Sequence, residues 1–134
     1  RTFSKDVQAE LRASMASILE GIAKGAGMSV DLRYEERTMP PVNDPFWCAE
    51  LREVAREVEG VRFGRPGFRT MAGEDMGYFL DKVPGVFFFV GAGNPEVGAQ
   101  YPHHHPRFEI DEEALGLGVE LLFRFATKVT GSDV

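Results

Sequence analysis

Apolar residues recur every three to four positions in three long segments, which predicts three amphipathic helices. The first helix follows Ser4, whose hydroxyl can accept hydrogen bonds from the free amides of a helix start, and glycines follow its last turn. The second follows Asp44 and Pro45, a capping carboxylate and a proline at the first helical position. The third follows Asp111. We expect the apolar stripe of each helix to face the interior. The stripe of the first helix is Val7, Leu11, Met15, Ile18, Leu19 and Ile22; that of the second is Trp47, Leu51, Val54 and Val58; and that of the third is Leu115, Val119, Leu122, Phe123 and Ala126.

Two shorter segments carry strand patterns. Residues 30–35 alternate apolar and charged side chains, which is typical of a strand with one buried face. Residues 86–90 read VFFFV, an unbroken apolar run typical of a strand covered on both faces. Few other segments could pair with this run, so we expect an incomplete sheet whose other strands lie in missing sequence or in a partner chain. Glu74 and Asp75 begin a short helix between the two strand segments.

Composition and charge narrow the class of protein. The chain has 134 residues, of which 43% are hydrophobic and 27% charged, as expected for one domain-sized folded protein. A formal net charge of −6 argues against a nucleic-acid partner, because nucleic-acid binders neutralise phosphates with clustered Lys and Arg. The single cysteine, Cys48, cannot close an internal disulfide, so we expect a reducing, cytoplasmic location.

The chain shows no sign of a membrane span. No apolar run approaches the roughly 18 residues that a spanning helix requires, and no signal-peptide pattern precedes the first helix. We therefore expect a soluble protein without a membrane partner. The sequence opens with Arg1 rather than Met, and residues 1–3 run directly into a helix start, which suggests a piece of a larger protein.

The segment 91–107 has no regular pattern and exceeds the length of about 12–15 residues that structureless loops usually reach. It contains three consecutive histidines, His103, His104 and His105. Imidazole binds zinc-like metals, but neighbouring side chains of an extended segment point opposite ways, so only one or two could bind one ion. Because a metal site needs about three or four ligands, the triplet alone favours a solvent-facing cluster over a metal site.

Three further features have a structural and a chemical interpretation. Cys48 lies on the apolar side of its predicted helix and is favoured as a small core residue. Glu74 and Asp75 could act as acid and base or as metal ligands, but acids in a first helical turn usually interact with the helix dipole. Residues 91–93, Gly-Ala-Gly after an apolar strand, suggest a dinucleotide fingerprint; the Asn-Pro pair at 94–95 stands where a helix should begin, so we reject it.

Residues 73–91 read GEDMGYFLDKVPGVFFFVG and residues 101–112 read YPHHHPRFEIDE. These two motifs, with the helix that follows them, resemble in order and spacing the signature of the zinc-dependent aminoacylase and carboxypeptidase family. That family includes hippurate hydrolases and indoleacetyl-amino-acid hydrolases. Residues 1–62 resemble the family's inserted lid domain, so the resemblance covers nearly the whole chain.

The resemblance implies an α/β fold in two parts. Residues 1–62 would be a partial lid, or dimerisation, domain with two helices and one or two strands. Residues 63–134 would be the C-terminal part of a zinc-peptidase-like catalytic α/β domain. The implied function is that of a metal-dependent amidohydrolase that cleaves the amide bond of N-acyl amino acids or small peptides, as a homo-oligomer.

The resemblance also implies a site of two divalent metal ions, zinc or manganese, with a bridging water and a glutamate as general base. By motif position His104 corresponds to a metal ligand. Arg1 corresponds to a lid arginine that binds the substrate carboxylate. The family's other ligands and its general base lie in an N-terminal segment that has no counterpart here, and Cys48 is not the family's metal-binding cysteine. We therefore predict that this chain holds no catalytic residue and is inactive alone.

A non-enzymatic alternative stays open at this point. The chain could be a metal-binding or dimerisation module derived from the same family. A reading frame with roughly two hundred further residues upstream would favour the enzyme, because a catalytic core needs that size. A start codon close to Arg1 would favour the module.

Overall fold

Four α-helices and one short 3-10 helix form the regular structure of residues 1–131, the part of the chain that the computed structural model describes. The helices are α1 (Lys5–Gly25), α2 (Pro45–Glu57), α3 (Met76–Leu80) and α4 (Glu113–Thr130), and the 3-10 helix is Pro95–Val97. Within this part of the chain, no helix combines the length and the apolarity of a membrane span.

The predicted helix starts are confirmed by their capping hydrogen bonds. The Ser4 side chain accepts from the amides two and three residues on, at 3.2 and 3.5 Å, where α1 begins. Asp44 Oδ1 accepts from the Trp47 amide at 3.1 Å, with Pro45 at the first position of α2. Asp111 Oδ1 accepts from the Glu113 amide at 3.1 Å where α4 begins. These caps depend only on residues within one turn, which is why the sequence reveals them.

The predicted strands at residues 30–35 and 86–90 do not form in the described chain. Over residues 1–131 the β-structure amounts to one isolated bridge, between Asn94 and Ala99. A strand needs a hydrogen-bonded ladder with a neighbouring strand, and neither segment forms such a ladder within residues 1–131. The observed fold is therefore mostly helical, and the α/β prediction is met only in its helices.

The chain divides into two compact units. Unit 1 consists of residues 1–43 and 68–84, and unit 2 consists of residues 44–67 and the residues from 85 onward. The units alternate along the chain, whereas the predicted boundary between residues 62 and 63 divides it once. That boundary between lid and catalytic portions stays a prediction.

The core of unit 2 lies between α2 and α4. Ala55 and Val58 of α2 and Leu121 of α4 are each 7% exposed, and Leu117 and Phe88 pack against them. The predicted stripe of α2 is confirmed, because Leu51, Val54 and Val58 are buried and Trp47 is half-buried. The Trp47 ring also packs edge-on against Phe125, with ring centroids 6.0 Å apart.

Helix α4 turns a different face inward from the one predicted. Its predicted stripe is exposed, with Leu115, Val119 and Leu122 between 57% and 67%. The buried positions are Ala114 and Leu121, and Gly118 of the same helix approaches Val90 so closely that a Cβ would lie 3.8 Å from that side chain. Because α4 is apolar around most of its circumference, periodicity could not identify the face that meets α2.

The prediction that the α1 stripe is buried is wrong for unit 1. The large apolar side chains of the stripe are 45–63% exposed, namely Val7, Leu11, Met15, Ile18 and Ile22. Leu19 is the half-buried member of the predicted stripe, and the other inward positions carry alanines, with Ala23 buried and Ala16 half-buried. The partner surface that the stripe would need does not lie among the residues described.

Candidate functional site

The loop around the three histidines is closed at its base by Asn94 and Asp111. Asn94 Nδ2 donates to Asp111 Oδ2 at 2.7 Å, and the Asp111 amide donates to Ala92 O at 2.9 Å. Asn94 also exchanges two backbone hydrogen bonds with Ala99, at 2.7 and 3.0 Å. Both side chains at the base are half-buried. Sequence reasoning identified Asp111 as a cap but missed Asn94; its position before Pro95, which begins the 3-10 helix, was the available signal.

Inside the loop, the ring of Tyr101 packs against two neighbours. The His105 ring stacks on it with centroids 4.3 Å apart and planes 9° apart. The guanidinium carbon of Arg107 lies 4.2 Å from the centroid of the same ring. We call Tyr101, His105 and Arg107 the aromatic stack. Tyr101 and His105 are half-buried, while the neighbouring His103 and His104 are exposed.

His104, the predicted metal ligand, occupies a special backbone position. Its φ is 68°, and it is the one non-glycine residue in the described chain with a positive φ. Its imidazole makes no hydrogen bond or ion pair among residues 1–131; its described ring contact is an edge-on one to His103, with centroids 6.5 Å apart. The His104 side chain is therefore exposed, and its imidazole has no hydrogen-bond or ion-pair partner among these residues. It is available to bind a metal if other ligands are supplied from elsewhere.

The described residues do not form a complete metal site. Nowhere in residues 1–131 do three or more His, Cys, Asp or Glu side chains converge as metal ligands would. A closed zinc site takes about four protein ligands and a catalytic one about three. The donor set thus fits the contribution of one imidazole to a metal centre and does not fit a self-sufficient centre.

Arg1, the predicted carboxylate-binding residue, lies in unit 1 against the Gly-Glu-Asp motif. Its Nη1 donates to Met71 O at 3.1 Å, and the side chain is exposed. The guanidinium lies where a side chain at Gly73 would be, since a Cβ there would be 2.8 Å from its central carbon. The absence of a side chain at Gly73 therefore makes room for Arg1.

The acidic residues of unit 1 have local partners. Glu74 Oε1 accepts from the amides of Asp75 and Met76, at 2.8 and 3.4 Å, which supports the interpretation of Glu74 as a helix-start residue. Asp81 pairs with Lys5, and hydrogen bonds from Lys5 and then Lys82 lower the pKa of Asp81 below its ordinary value of 3.8.

Arg1 belongs to unit 1 and His104 to unit 2.

Cys48 is a free, half-buried thiol on α2, close to its predicted role as a small apolar side chain. The aromatic stack was missed by sequence reasoning, because Tyr101 and Arg107 are six residues apart and only the turn between them brings them together.

The chain was then compared with known proteins. The sequence profile of the peptidase family M20/M25/M40 matches residues 5–128. A Bacillus subtilis (strain 168) protein named as an amidohydrolase, YhaA, is 34% identical over 122 residues, which cover 91% of this chain and 31% of that protein. The N-acetyldiaminopimelate deacetylase of Streptococcus sanguinis (strain SK36) is 34% identical over 128 residues, covering 93% of this chain and 32% of the deacetylase. The comparison with solved structures gives no match.

The chain belongs to the peptidase family M20/M25/M40, because the family profile matches almost its whole length. The predicted relationship to the aminoacylase and carboxypeptidase family is thereby confirmed at the level of the family. The relatives by name are an amidohydrolase and a deacetylase, both hydrolases. The chain spans about a third of the length of these relatives.

Proposed function

We propose that this chain is the C-terminal portion of a metal-dependent amidohydrolase that cleaves the amide bond of N-acyl amino acids or small peptides. The match of residues 5–128 to the peptidase family carries the proposal. The deacetylase relative is named for an N-acetylated amino-acid substrate, which supports an N-acyl amino acid as the substrate class. Residues 1–62 form part of a lid and residues 63–134 part of a catalytic α/β domain whose sheet needs strands from outside this chain.

His104 contributes one ligand to a centre of two divalent ions, with zinc the first candidate and manganese the second. The exposed, uncommitted imidazole in the loop of unit 2 supports this role. When bound, the ions lower the pKa of a shared water and polarise the scissile carbonyl. The family resemblance places the remaining ligands and the general base in a segment outside this chain, and within residues 1–131 no three potential ligands converge.

Arg1 binds the substrate carboxylate through two parallel hydrogen bonds. A guanidinium presents its donors in a planar fork that matches a carboxylate, which a lysine ammonium does not reproduce. The exposure of Arg1 supports the role, since it leaves the guanidinium accessible. Arg1 therefore orients the substrate and does not itself react.

The whole enzyme is a cytoplasmic homo-oligomer. The apolar side chains of α1 that are 45–63% exposed support association, because association would remove them from water. Sedimentation of the purified chain tests this part, and a monomer at all concentrations would contradict it.

Two assays test the proposed activity. The first offers N-acetyl amino acids to the purified 134-residue chain with added zinc or manganese, and we expect no turnover. The second offers them to the full reading frame that contains the chain, and we expect turnover that a chelator abolishes. Turnover by the chain alone would overturn its assignment as an incomplete portion. No turnover by the full-length protein would overturn the activity.

The role of Arg1 is tested in the full-length protein. Arg1→Lys keeps the charge but loses the bidentate hydrogen bonding to the substrate carboxylate. We therefore expect KM to rise about tenfold with a smaller change in kcat. Arg65→Lys, an exposed arginine of unit 2, is the matched control and should leave KM unchanged. Equal KM values for the Arg1 variant and the control would contradict the assignment.

A further inference from the structure

The three consecutive histidines have different surroundings in the loop. His105 is half-buried and engaged, His104 is exposed and uncommitted, and His103 packs edge-on against Phe108 with ring centroids 4.8 Å apart. The three consecutive histidines thus have three different structural roles. His104 also has a positive φ, which the contacts around it must maintain.

His105 is attached to the loop by its main chain and its side chain. Its amide donates to Pro102 O at 3.2 Å and its carbonyl accepts from the Phe108 amide at 2.9 Å. Its Nδ1 accepts from the Arg107 amide at 3.1 Å, while its ring stacks on Tyr101 at 4.3 Å. Nδ1 is therefore occupied by a backbone donor, and one ring face is covered. His105 is an anchor of the turn rather than a side chain free to bind a ligand.

Tyr101 joins the two ends of the turn. Tyr101 precedes His104 in sequence, and its ring contacts two residues that follow it, His105 and the guanidinium of Arg107, which lies 4.2 Å from the ring centroid. His104 lies in sequence between Tyr101 and these two partners, with a φ of 68°, a conformation that a side chain with a Cβ rarely adopts. Such a conformation persists only where the surrounding contacts determine it. The described contacts on this turn include the aromatic stack, the backbone hydrogen bonds of His105 and the edge-on contact of His103 with Phe108.

We propose that the aromatic stack of Tyr101, His105 and Arg107 positions His104, by holding the turn in the left-handed conformation that directs the His104 imidazole toward its metal. The inference rests on the proposed role of His104 as a metal ligand. Tyr101 and His105 are positioning residues: they act through His104 and do not touch the metal or the substrate. Mutation of groups that orient a ligating histidine typically lowers metal affinity about 10- to 100-fold.

The first test measures metal affinity in the full-length protein by competition with a chromogenic chelator for zinc. Tyr101→Ala removes the stacking surface, and we expect zinc affinity to fall about 10- to 100-fold. Tyr101→Phe keeps the ring and should restore wild-type affinity. Tyr34→Ala is the matched control, because Tyr34 also lies under an arginine, with the Arg12 guanidinium carbon 5.7 Å from its ring, but belongs to unit 1. Circular dichroism reports whether each variant is folded.

His104→Ala separates failure of this inference from failure of the proposed function. If His104→Ala leaves zinc affinity unchanged, His104 is not a ligand and the proposed site falls. If His104→Ala weakens zinc binding but Tyr101→Ala does not, the ligand assignment stands and the positioning role is overturned. If Tyr101→Ala fails to fold, His105→Phe, which keeps a stacking ring but loses the Nδ1 acceptor, and the exposed Arg107→Ala replace it. Unchanged affinity in both of these would also overturn the inference.

A second test needs no metal and uses the 134-residue chain. Glycine adopts a positive φ without cost, whereas alanine does not. We therefore expect His104→Gly to unfold at higher urea concentration than His104→Ala while Tyr101 is present. In a Tyr101→Ala background the turn is no longer held, so the difference between the two variants should vanish. A difference that persists without Tyr101 would show that other contacts hold the turn.

Discussion

Helices α1 of unit 1 and α4 of unit 2 are both long and rich in apolar residues, yet only α4 packs against another helix of its own unit. Helix α4 buries Leu121 and Ala114 and faces α2. Helix α1, with 21 residues, buries Ala23 and leaves its large apolar side chains open. All but one of the buried apolar residues described belong to unit 2.

The difference shows that an apolar stripe makes a helix able to pack but does not provide the surface it packs on. Unit 2 has both surfaces, on α2 and α4. Unit 1 has smaller contacts instead, such as the ion pair of Lys5 with Asp81 and the close approach of Gly77 in α3 to Met39. We therefore expect substitutions in the core of unit 2 to cost the most stability.

The largest effect should come from the core of unit 2. Leu121→Ala removes a side chain that is 7% exposed between α2 and α4, and we expect the free energy of unfolding to fall by about 2 to 5 kcal/mol. Leu122→Ala, at the neighbouring position with a 58% exposed side chain, is the matched control and should change it by less than about 0.5 kcal/mol. Urea unfolding of the 134-residue chain measures both. Equal losses would mean that the face of α4 is assigned wrongly.

A smaller effect should mark the tightest contact of unit 1. A Cβ at Gly77 would lie 2.2 Å from Met39 O, a backbone atom that cannot move aside cheaply, so we expect Gly77→Ala to destabilise by about 1 to 3 kcal/mol.

Gly21 is the matched control for Gly77, because nothing lies within 4 Å of a Cβ at this position inside α1. Gly21→Ala should stabilise the chain by about 0.5 to 1 kcal/mol through the lower entropy of alanine in the unfolded state. If both alanine variants shift the urea midpoint in the same direction, the close approach at Gly77 does not exist in solution.

The ion pair of unit 1 should make stability depend on pH in the acid range. The pKa of Asp81 is lowered in the folded chain by Lys5 and Lys82 from its ordinary 3.8, so the unfolded chain binds a proton more readily there. The stabilisation is complete above that ordinary value, declines as pH falls through it, and is gone below the folded pKa. Comparing urea unfolding of wild type and Asp81→Asn between neutral and acid pH should show two curves that converge on acidification. Parallel curves would exclude a contribution from Asp81.

The smallest effect should come from the open stripe of α1. Ile18 is 60% exposed, and alanine has the higher helix propensity, so Ile18→Ala should leave stability unchanged or raise it by a few tenths of a kcal/mol, about 0.3. Urea unfolding at low protein concentration measures this for the separate chain. A loss above about 1 kcal/mol would show that the stripe packs within unit 1 after all.

The candidate site was predictable in part. The motif around residues 101–112 singled out His104, whose role as a metal ligand stays a prediction. The hydrogen bond between Asn94 and Asp111 and the aromatic stack were not predictable. Each joins residues that only the path of the loop brings together. The roles of the three histidines differ for the same reason.

The sequence by itself determined where the helices begin and to which family the chain belongs. Caps such as Ser4 and Asp44 act on amides within one turn, so their effect needs no tertiary context. Only the tertiary structure decided which face of α4 is buried, that the stripe of α1 stays open, and that residues 30–35 and 86–90 form no strand. Burial and strand pairing require a second surface, and whether one is present depends on the whole fold rather than on the segment itself.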